Sequence, residues 1–401
     1  MRKALSSGFH IASPQEIREG KTTDLYFVRT REILRAKGLS RKRGWAELTV
    51  SDLPQGWPWG VFCGLDEVLE LLEGIPVSLW ALPEGKLFPA RDASGLRVPV
   101  MALEGAYADY CLYETPILGF LCQATGVATK SARLRKAAGR ALILGFGVRR
   151  MHPAIAPMLD RASFIGGVDA VSSLAGAAAI GEKPRGTMPH ALVVAMGGAP
   201  AAWKAFDEVM PASVPRIMLV DTYSDEKAEA LEAARLVGKR LAGVRLDTPS
   251  SRRGNFAELI REVRWELDLR GFKKVQIIVS GGMDEEEIPA LRSAGADGFG
   301  IGTAISNAKT VDFAMDLVEW EGKPCAKRGK LSGRKSPWQC QRCRRVSVAP
   351  SLNSGPRCPV CRQAMKPMFK AYLKMGQRAG ASPKAGAIRR GVLEQLRKIQ
   401  W

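Results

Sequence analysis

Val275-Gln-Ile-Ile-Val-Ser-Gly-Gly282 is an apolar run that ends in a serine and two glycines. The same pattern occurs on either side of it. Gly243-Val-Arg-Leu-Asp247 runs into Thr248-Pro-Ser250, and Gly298-Phe-Gly-Ile301 runs into Gly302-Thr303. Short β-type runs separated by amphipathic helical segments such as Phe256–Leu269 predict successive βα units with parallel strands. Each strand then carries a carboxylate or glycines at its carboxyl end. Glycines there let backbone N–H groups approach a phosphate closely. A carboxylate one strand earlier suits the hydroxyls of a sugar. Together the three strand ends read as a ribose-phosphate site on the top face of a parallel barrel.

Working outward, Ala141-Leu-Ile-Leu-Gly145 and Arg216-Ile-Met-Leu-Val220 supply further strands, and Asp225–Val237 a further helix. The later strand starts are spaced by roughly 23 to 32 residues, the length of a βα unit in a barrel or a doubly wound sheet. No G-x-G-x-x-G is present, and Gly298-Phe-Gly-Ile-Gly302 has the wrong spacing for one, which favours a barrel. Residues 11–110 are strand-rich and loop-rich, with β-type runs Trp45-Ala-Glu-Leu-Thr-Val50 and Arg97-Val-Pro-Val-Met-Ala-Leu103. A helix is predicted over Leu65–Leu72 with Asp66 as its cap, and a long helix over Glu114–Ala137. The expected domains are an N-terminal α+β domain over 1–112 completed by C-terminal segments, and an α/β barrel over 113–322. A basic linker with a cysteine module over 323–375 follows, then a basic tail over 376–401 that composition predicts to be partly disordered.

At 401 residues, two or three domains are expected, and 46% hydrophobic with 25% charged residues is the composition of a soluble globular protein. No apolar run is long enough to span a bilayer, and the start of the chain lacks the apolar core of a signal peptide, so a cytoplasmic location is expected. The net charge of +20 suggests nucleic-acid binding until it is located. Residues 323–401 hold twenty Lys and Arg against one acid, Glu394, whereas the first 322 residues hold 40 basic and 39 acidic side chains. The body is neutral and only the tail is basic.

Cys340-Gln-Arg-Cys343 and Cys358-Pro-Val-Cys361 give C-x2-C, fourteen residues, then C-x2-C. Two such knuckles place four thiolates around one Zn²⁺, a closed and therefore structural site. Disulfides are the competing reading, which a reducing compartment disfavours. Arg342, Arg344, Arg345, Arg357 and Arg362 favour deprotonated thiols.

Only three histidines occur, His10, His152 and His190. His190 lies in Gly186-Thr-Met-Pro-His190, at a turn into an apolar segment. His152 follows Phe146, Arg149 and Arg150 after a strand end. Phe146 can stack on a planar ring, and the two arginines can receive a carboxylate or phosphate. A core phenylalanine with surface ion pairs is the competing reading. Asp221 and Asp247 each end a strand, where a lone Asp is often a helix cap. Two on neighbouring strands beside Ser280-Gly281-Gly282 point instead to hydroxyl binding.

These motifs resemble those of the nicotinate phosphoribosyltransferases, specifically the shorter archaeal type that ends in a zinc-binding module. The resemblance is carried in order by Thr23-Asp-Leu-Tyr-Phe27, Tyr113-Glu-Thr-Pro-Ile-Leu118, Phe146-Gly-Val-Arg-Arg150 with His152, and Gly186-Thr-Met-Pro-His190. It continues through Arg245-Leu-Asp-Thr248, Ser280-Gly-Gly282, Phe299-Gly-Ile-Gly-Thr303 and Lys327-Arg-Gly-Lys-Leu-Ser-Gly-Arg-Lys335. It implies an irregular α/β barrel, a mixed N-terminal domain, and a homodimer or higher oligomer with active sites between subunits. It also implies that Phe146 and Tyr26 of the partner subunit sandwich a pyridine ring, with Arg149 near the ring substituent. Asp221 and Asp247 would hold the ribose of phosphoribosyl pyrophosphate, and Ser280, Gly281, Gly282, Gly302 and Thr303 its 5′-phosphate. Arg245, Arg150 and His152 complete the expected substrate site. His190 matches the histidine that members phosphorylate with ATP, and Mg²⁺ is expected on the pyrophosphate. In the related nicotinamide-using enzymes an acid stands where Asp169 stands here. Were Asp169 to face the ring, nicotinamide would be the substrate; were it to face an arginine, nicotinate. Quinolinate is a further alternative substrate. In a different class stands a nucleic-acid-binding zinc protein, disfavoured because only Trp338 near the cysteines could stack on a base.

Overall fold

A computed structural model describes residues 8–350 and 355–399, which divide into two compact units, one of residues 8–129 with 309–399 and one of residues 130–308. The expected boundaries at 113 and 322 therefore move inward. The long helix Glu114–Ala138 runs unbroken through the first boundary. At the other end Phe313–Trp320 pairs antiparallel with Arg43–Val50, which draws it into the sheet of the first unit.

In the second unit six strands are all parallel, in the order Ala170–Val171, Leu142–Gly145, Gly298–Ile301, Gln276–Val279, Leu241–Leu246, Arg216–Leu219. The sheet is a curled half-barrel. Among the described residues its two edge strands do not pair, because the chain between Val171 and Arg216 forms helices and loop instead of further strands. Buried Ile, Val, Leu and Phe fill the strands, as expected where helices cover the sheet. The flanking helices Glu226–Val237 and Phe256–Leu269 begin where Asp225 and Asn255 accept backbone N–H bonds from Ala228 and Glu258. Because the strands are parallel and in register, all six carboxyl ends lie along one edge.

In the first unit a seven-stranded antiparallel sheet has the order Lys323–Pro324, Phe313–Trp320, Arg43–Val50, Met101–Ala106, Ser78–Ala81, Lys370–Lys374, Gln377–Arg378. Segments from both ends of the chain thus build it. The predicted helix Leu65–Leu72 is present, but its N-cap is Gly64, at φ 97°, and Asp66 lies in the first turn. A Cβ at Gly64 would come within 2.5 Å of the Phe120 carbonyl oxygen, so packing against the long helix reserves the position for glycine. The tail expected to be partly disordered forms the helix Ala385–Arg397, with Ile388, Val392 and Leu396 buried. Gln395 locks it in place by donating to the Gly85 carbonyl at 2.9 Å and accepting from the Leu87 amide at 3.1 Å. Residues 400–401 of that tail lie outside the described residues.

Candidate active site

Along the carboxyl edge of the parallel sheet a cavity of about 600 Å³ is lined by Phe146, Ser172, Asp247, Ser280 and Gly302, each the first or second residue after its strand. Arg149, Arg150, Arg245, Gly281, Gly282 and Thr303 line it too. This is the edge at which open and barrel-type parallel sheets bind ligands.

Arg245 is the hub. Its side chain, 13% exposed, donates to the Asp247 carboxylate at 2.8 Å and to the Ser280 hydroxyl at 3.2 Å. It also reaches the Thr187 hydroxyl, and its guanidinium stands 5.7 Å from the centre of the Phe146 ring. Ser280 in turn donates to Asp247 at 2.6 Å. Asp247 is thus held from two sides with part of its carboxylate open to the cavity.

Asp221 lies beneath. Its side chain is 2% exposed, and one oxygen accepts from the Asp247 amide at 2.7 Å and lies 3.1 Å from the Thr248 hydroxyl. The other oxygen has no hydrogen-bond partner. Burial pushes the Asp221 carboxyl above the usual carboxylate range, and nearby His190 partly offsets this. His190 opens the helix His190–Ala195. Its Nδ1 is 3.0 Å from the Thr222 hydroxyl, and its Nε2 is 3.5 Å from Asp247 and 3.9 Å from Asp221. In the tautomer with Nε2–H facing the two carboxylates, Nδ1 accepts a hydrogen bond from the Thr222 hydroxyl.

Two glycine features shape the cavity. Gly281 has φ 104°, in the left-handed region, and a Cβ there would meet the Asp247 and Thr248 carbonyl oxygens at 3.1 Å. Gly300 lies under the Phe146 ring, where a Cβ would stand 2.5 Å from Cε2. The aromatic therefore exists in its present position because its neighbour has no side chain.

Ten expected substrate-site residues, Phe146, Arg149, Arg150, Arg245, Asp247, Ser280, Gly281, Gly282, Gly302 and Thr303, line this one cavity. Three do not. Asp169 faces Arg135, at 3.3 Å, and accepts from the Ile143 amide at 2.8 Å. His152 is exposed, and its Nδ1 accepts from the Ala154 amide as a cap. Tyr26 is 58% exposed on the helix Leu25–Ala36 of the first unit, its ring 4.3 Å from that of Phe27.

Sequence reasoning missed Ser172, Thr187 and Ser250 as lining residues, and two supports. Glu229, 4% exposed, accepts from the amides of Thr222, Tyr223 and Ser224 at 3.4, 3.3 and 3.0 Å, fixing the loop that carries Thr222. Arg253 donates to the Gly281 carbonyl at 3.0 Å. Thr187 and Ser250 stand within quoted motifs, so proximity in sequence was a usable signal for them. Glu229 has none, being one acid among several on an amphipathic helix.

In the first unit the four sulfurs of Cys340, Cys343, Cys358 and Cys361 lie within 4.8 Å of one another. Both knuckles share one backbone pattern. Arg344 and Arg362 sit at φ 62° and 60° and donate N–H bonds to the Cys340 and Cys358 carbonyls at 3.0 and 2.9 Å. Tetrahedral thiolates at about 2.3 Å from a metal would have sulfurs about 3.8 Å apart, so the cluster fits one ion. No helix of the described residues is long and apolar enough to cross a membrane.

The chain matches the quinolinate phosphoribosyl transferase C-terminal domain over residues 127–316 and the corresponding N-terminal domain over residues 24–125. A nicotinate phosphoribosyltransferase of Mycobacterium tuberculosis is 31% identical over 316 residues, covering 75% of this chain and 68% of the relative. That of Bacillus subtilis is 30% identical, covering 71% and 63%. A crystal structure described as nicotinate-nucleotide pyrophosphorylase from Pyrococcus furiosus is 51% identical over all of both chains, with a TM-score of 0.93. Human nicotinic acid phosphoribosyltransferase shares the fold, at 21% identity and a TM-score of 0.74 over 94% of both chains. With strand-end glycines, serine and aspartate around one cavity and a nicotinate phosphoribosyltransferase 31% identical over 68% of its length, the chain belongs to the nicotinate phosphoribosyltransferase family.

Proposed function

We propose that this protein joins nicotinate to phosphoribosyl pyrophosphate, releasing pyrophosphate and forming nicotinate mononucleotide for NAD synthesis. One observation carries the reading. A stackable ring (Phe146), a hydroxyl acceptor (Asp247) and a run of close-approach backbone (Ser280–Gly282 and Gly302–Thr303) face one cavity. The C1–pyrophosphate bond breaks as the pyridine nitrogen attacks, through an oxocarbenium-like centre that needs orientation and little proton transfer. Phe146 stacks on the pyridine, and Tyr26 of the partner subunit covers its other face in a dimer. Asp247 accepts from the ribose hydroxyls, supported by Asp221. The glycine turns take the 5′-phosphate. Arg149 and Arg150 attract the carboxylate or the leaving pyrophosphate. Mg²⁺ on the pyrophosphate oxygens supplies further charge neutralisation when bound.

The choice of nicotinate over nicotinamide rests on Asp169, whose pairing with Arg135 leaves no carboxylate of its own among the cavity-lining residues. His190 is the phosphoryl acceptor from ATP in this reading. Asp247 and Asp221 hold Nε2–H, Nδ1 attacks the γ-phosphorus, and the bond to ADP breaks. The four-cysteine cluster holds a structural Zn²⁺, which ties the strands Ser336–Cys340, Val346–Ala349 and Met365–Pro367 into one module.

The test is product formation from phosphoribosyl pyrophosphate with nicotinate, nicotinamide or quinolinate, each with and without ATP. Nicotinate mononucleotide from nicotinate alone, faster with ATP, is the expected result. Turnover of nicotinamide or of quinolinate in its place would overturn the substrate assignment. Equal rates with and without ATP would remove the role given to His190.

A further inference from the structure

In the first unit a cavity of about 200 Å³ opens on the face of the sheet shared by Glu47 and Thr49. Glu47 stands opposite Asp316 in the register of two antiparallel strands. Two acids so placed would repel, but each has its own cations. Asp316 pairs with Lys327 at 2.7 Å and Lys330 at 2.6 Å, and Glu47 with Lys335 at 3.1 Å. That wall is neutralised from within.

Two further guanidiniums line the same cavity with no such compensation. Arg91 and Arg97 form an isolated antiparallel bridge, so like charges stand directly across from each other on one face. Arg91 donates to the Gly95 carbonyl at 3.1 Å, and its nearest carboxylate is the exposed Asp52, at 3.8 Å. Arg97 is half-buried and, among the described residues, has no carboxylate within ion-pair distance. In the same cavity the Thr49 hydroxyl is buried and makes no hydrogen bond. A like-charged cross-strand pair and an orphaned buried hydroxyl in one cavity describe a site shaped for an anion.

We propose that this cavity binds a phosphate group carried by a small molecule, clamped between Arg91 and Arg97 with the Thr49 hydroxyl donating from the floor. The choice of phosphate follows from donor count. Each guanidinium offers a two-pronged fork, and a carboxylate is satisfied by one fork, whereas a tetrahedral phosphate presents oxygens to both. No residue of this cavity takes part in the reaction proposed above, so the two readings fail separately.

The experiment is equilibrium dialysis of the full chain against inorganic phosphate at constant ionic strength. The proteins compared are the wild type, Thr49→Val, and the double variant Arg91→Gln/Arg97→Gln. The active-site cavity also takes phosphate in the reading above, so stoichiometry and turnover are measured together. The double variant should bind one phosphate fewer per chain, and Thr49→Val should weaken that site several-fold. Turnover should be kept, and melting in phosphate-free buffer should be unchanged or raised by removal of the like-charged pair. Acetate should not compete. Equal stoichiometry in wild type and double variant, or equal competition by acetate, would overturn the proposal. Loss of turnover together with the phosphate would also overturn it, because the arginines would then belong to the reaction. A wild type without turnover that still loses one phosphate on substitution would leave this site standing and the reaction refuted.

Discussion

Gly300→Ala tests whether the absence of a side chain under Phe146 creates the ring-binding wall. Gly300 has no left-handed backbone, so alanine is tolerated conformationally and its effect is steric. The new Cβ would lie 2.5 Å from Phe146 Cε2 and 2.8 Å from Cδ2, where carbon atoms ordinarily rest about 3.5–4.0 Å apart. The ring must therefore retreat by about 1 Å. Trapped in a core, such overpacking would cost about 1–3 kcal/mol of stability. Phe146 borders the cavity, so it can yield into empty space, and the loss should fall on substrate positioning. A misplacement of about 1 Å can cost up to about a hundredfold in rate. We expect kcat/KM for nicotinate to fall about 10- to 100-fold, or roughly 1.4–2.7 kcal/mol of transition-state stabilisation, with KM for phosphoribosyl pyrophosphate nearly unchanged. The assay is steady-state turnover of wild type, Gly300→Ala, Phe146→Ala and the double variant. In the Phe146→Ala background Gly300→Ala should cost far less, since the two closest contacts are gone and the 3.1 Å contact with Ser280 Cβ asks that side chain to give by a few tenths of an ångström. Equal losses in both backgrounds, or wild-type kcat/KM in the single variant, would refute the reasoning.

Burial, reinforced by Asp316, pushes Glu114 up to about 7, so folding favours its protonated form. Stability should then fall as pH rises from about 4.5 to about 7, and Glu114→Gln should flatten that part of the melting-temperature profile; identical profiles would refute the assignment. Asp169→Asn should lower stability through loss of the Arg135 pair without conferring nicotinamide turnover, measured with both pyridines; a switch in preference would put Asp169 back at the ring. Elemental analysis should find one zinc per chain, and Cys358→Ser should abolish it and lower the melting temperature; full zinc in that variant would exclude the four-cysteine site.

Strand ends were readable because punctuation follows each apolar run: Asp247, Ser280-Gly281-Gly282 and Gly302 interrupt segments whose buried residues cannot end otherwise. Helix Phe256–Leu269 was legible to the residue, its apolar spacing following the cap Asn255. Pairing between distant segments was not. Nothing local in Phe313–Trp320 states that it will lie beside Arg43–Val50, and nothing in a composition rich in Lys and Arg reveals that Ile388, Val392 and Leu396 form one buried helical stripe. Likewise the glycine cap at Gly64 follows from the approach of the Phe120 backbone, a contact spanning the fold of the first unit. Sequence periodicity reports the face an element buries; it is silent about the element it buries it against.

The same limit explains which charges of the site were misjudged. Arg149, Arg150 and Arg245 look alike in sequence, and so do Asp169 and Asp247. Arg245 is committed internally: it holds Asp247, Ser280 and Thr187, so it orders the cavity more than it attracts anions. Arg149 and Arg150 are exposed, line the cavity and have no ion pair among the described residues, which leaves their charge available to an incoming carboxylate or pyrophosphate. Asp169 is cancelled by Arg135, 34 positions away in the chain. The electrostatics that separate an acid-binding from an amide-binding pocket therefore depend on which arginine each carboxylate meets. Removing Arg135 would leave the Asp169 charge uncompensated at the amino-terminal end of Ala170–Val171, away from the carboxyl edge that lines the cavity, so the loss should fall on stability and not on the choice of pyridine.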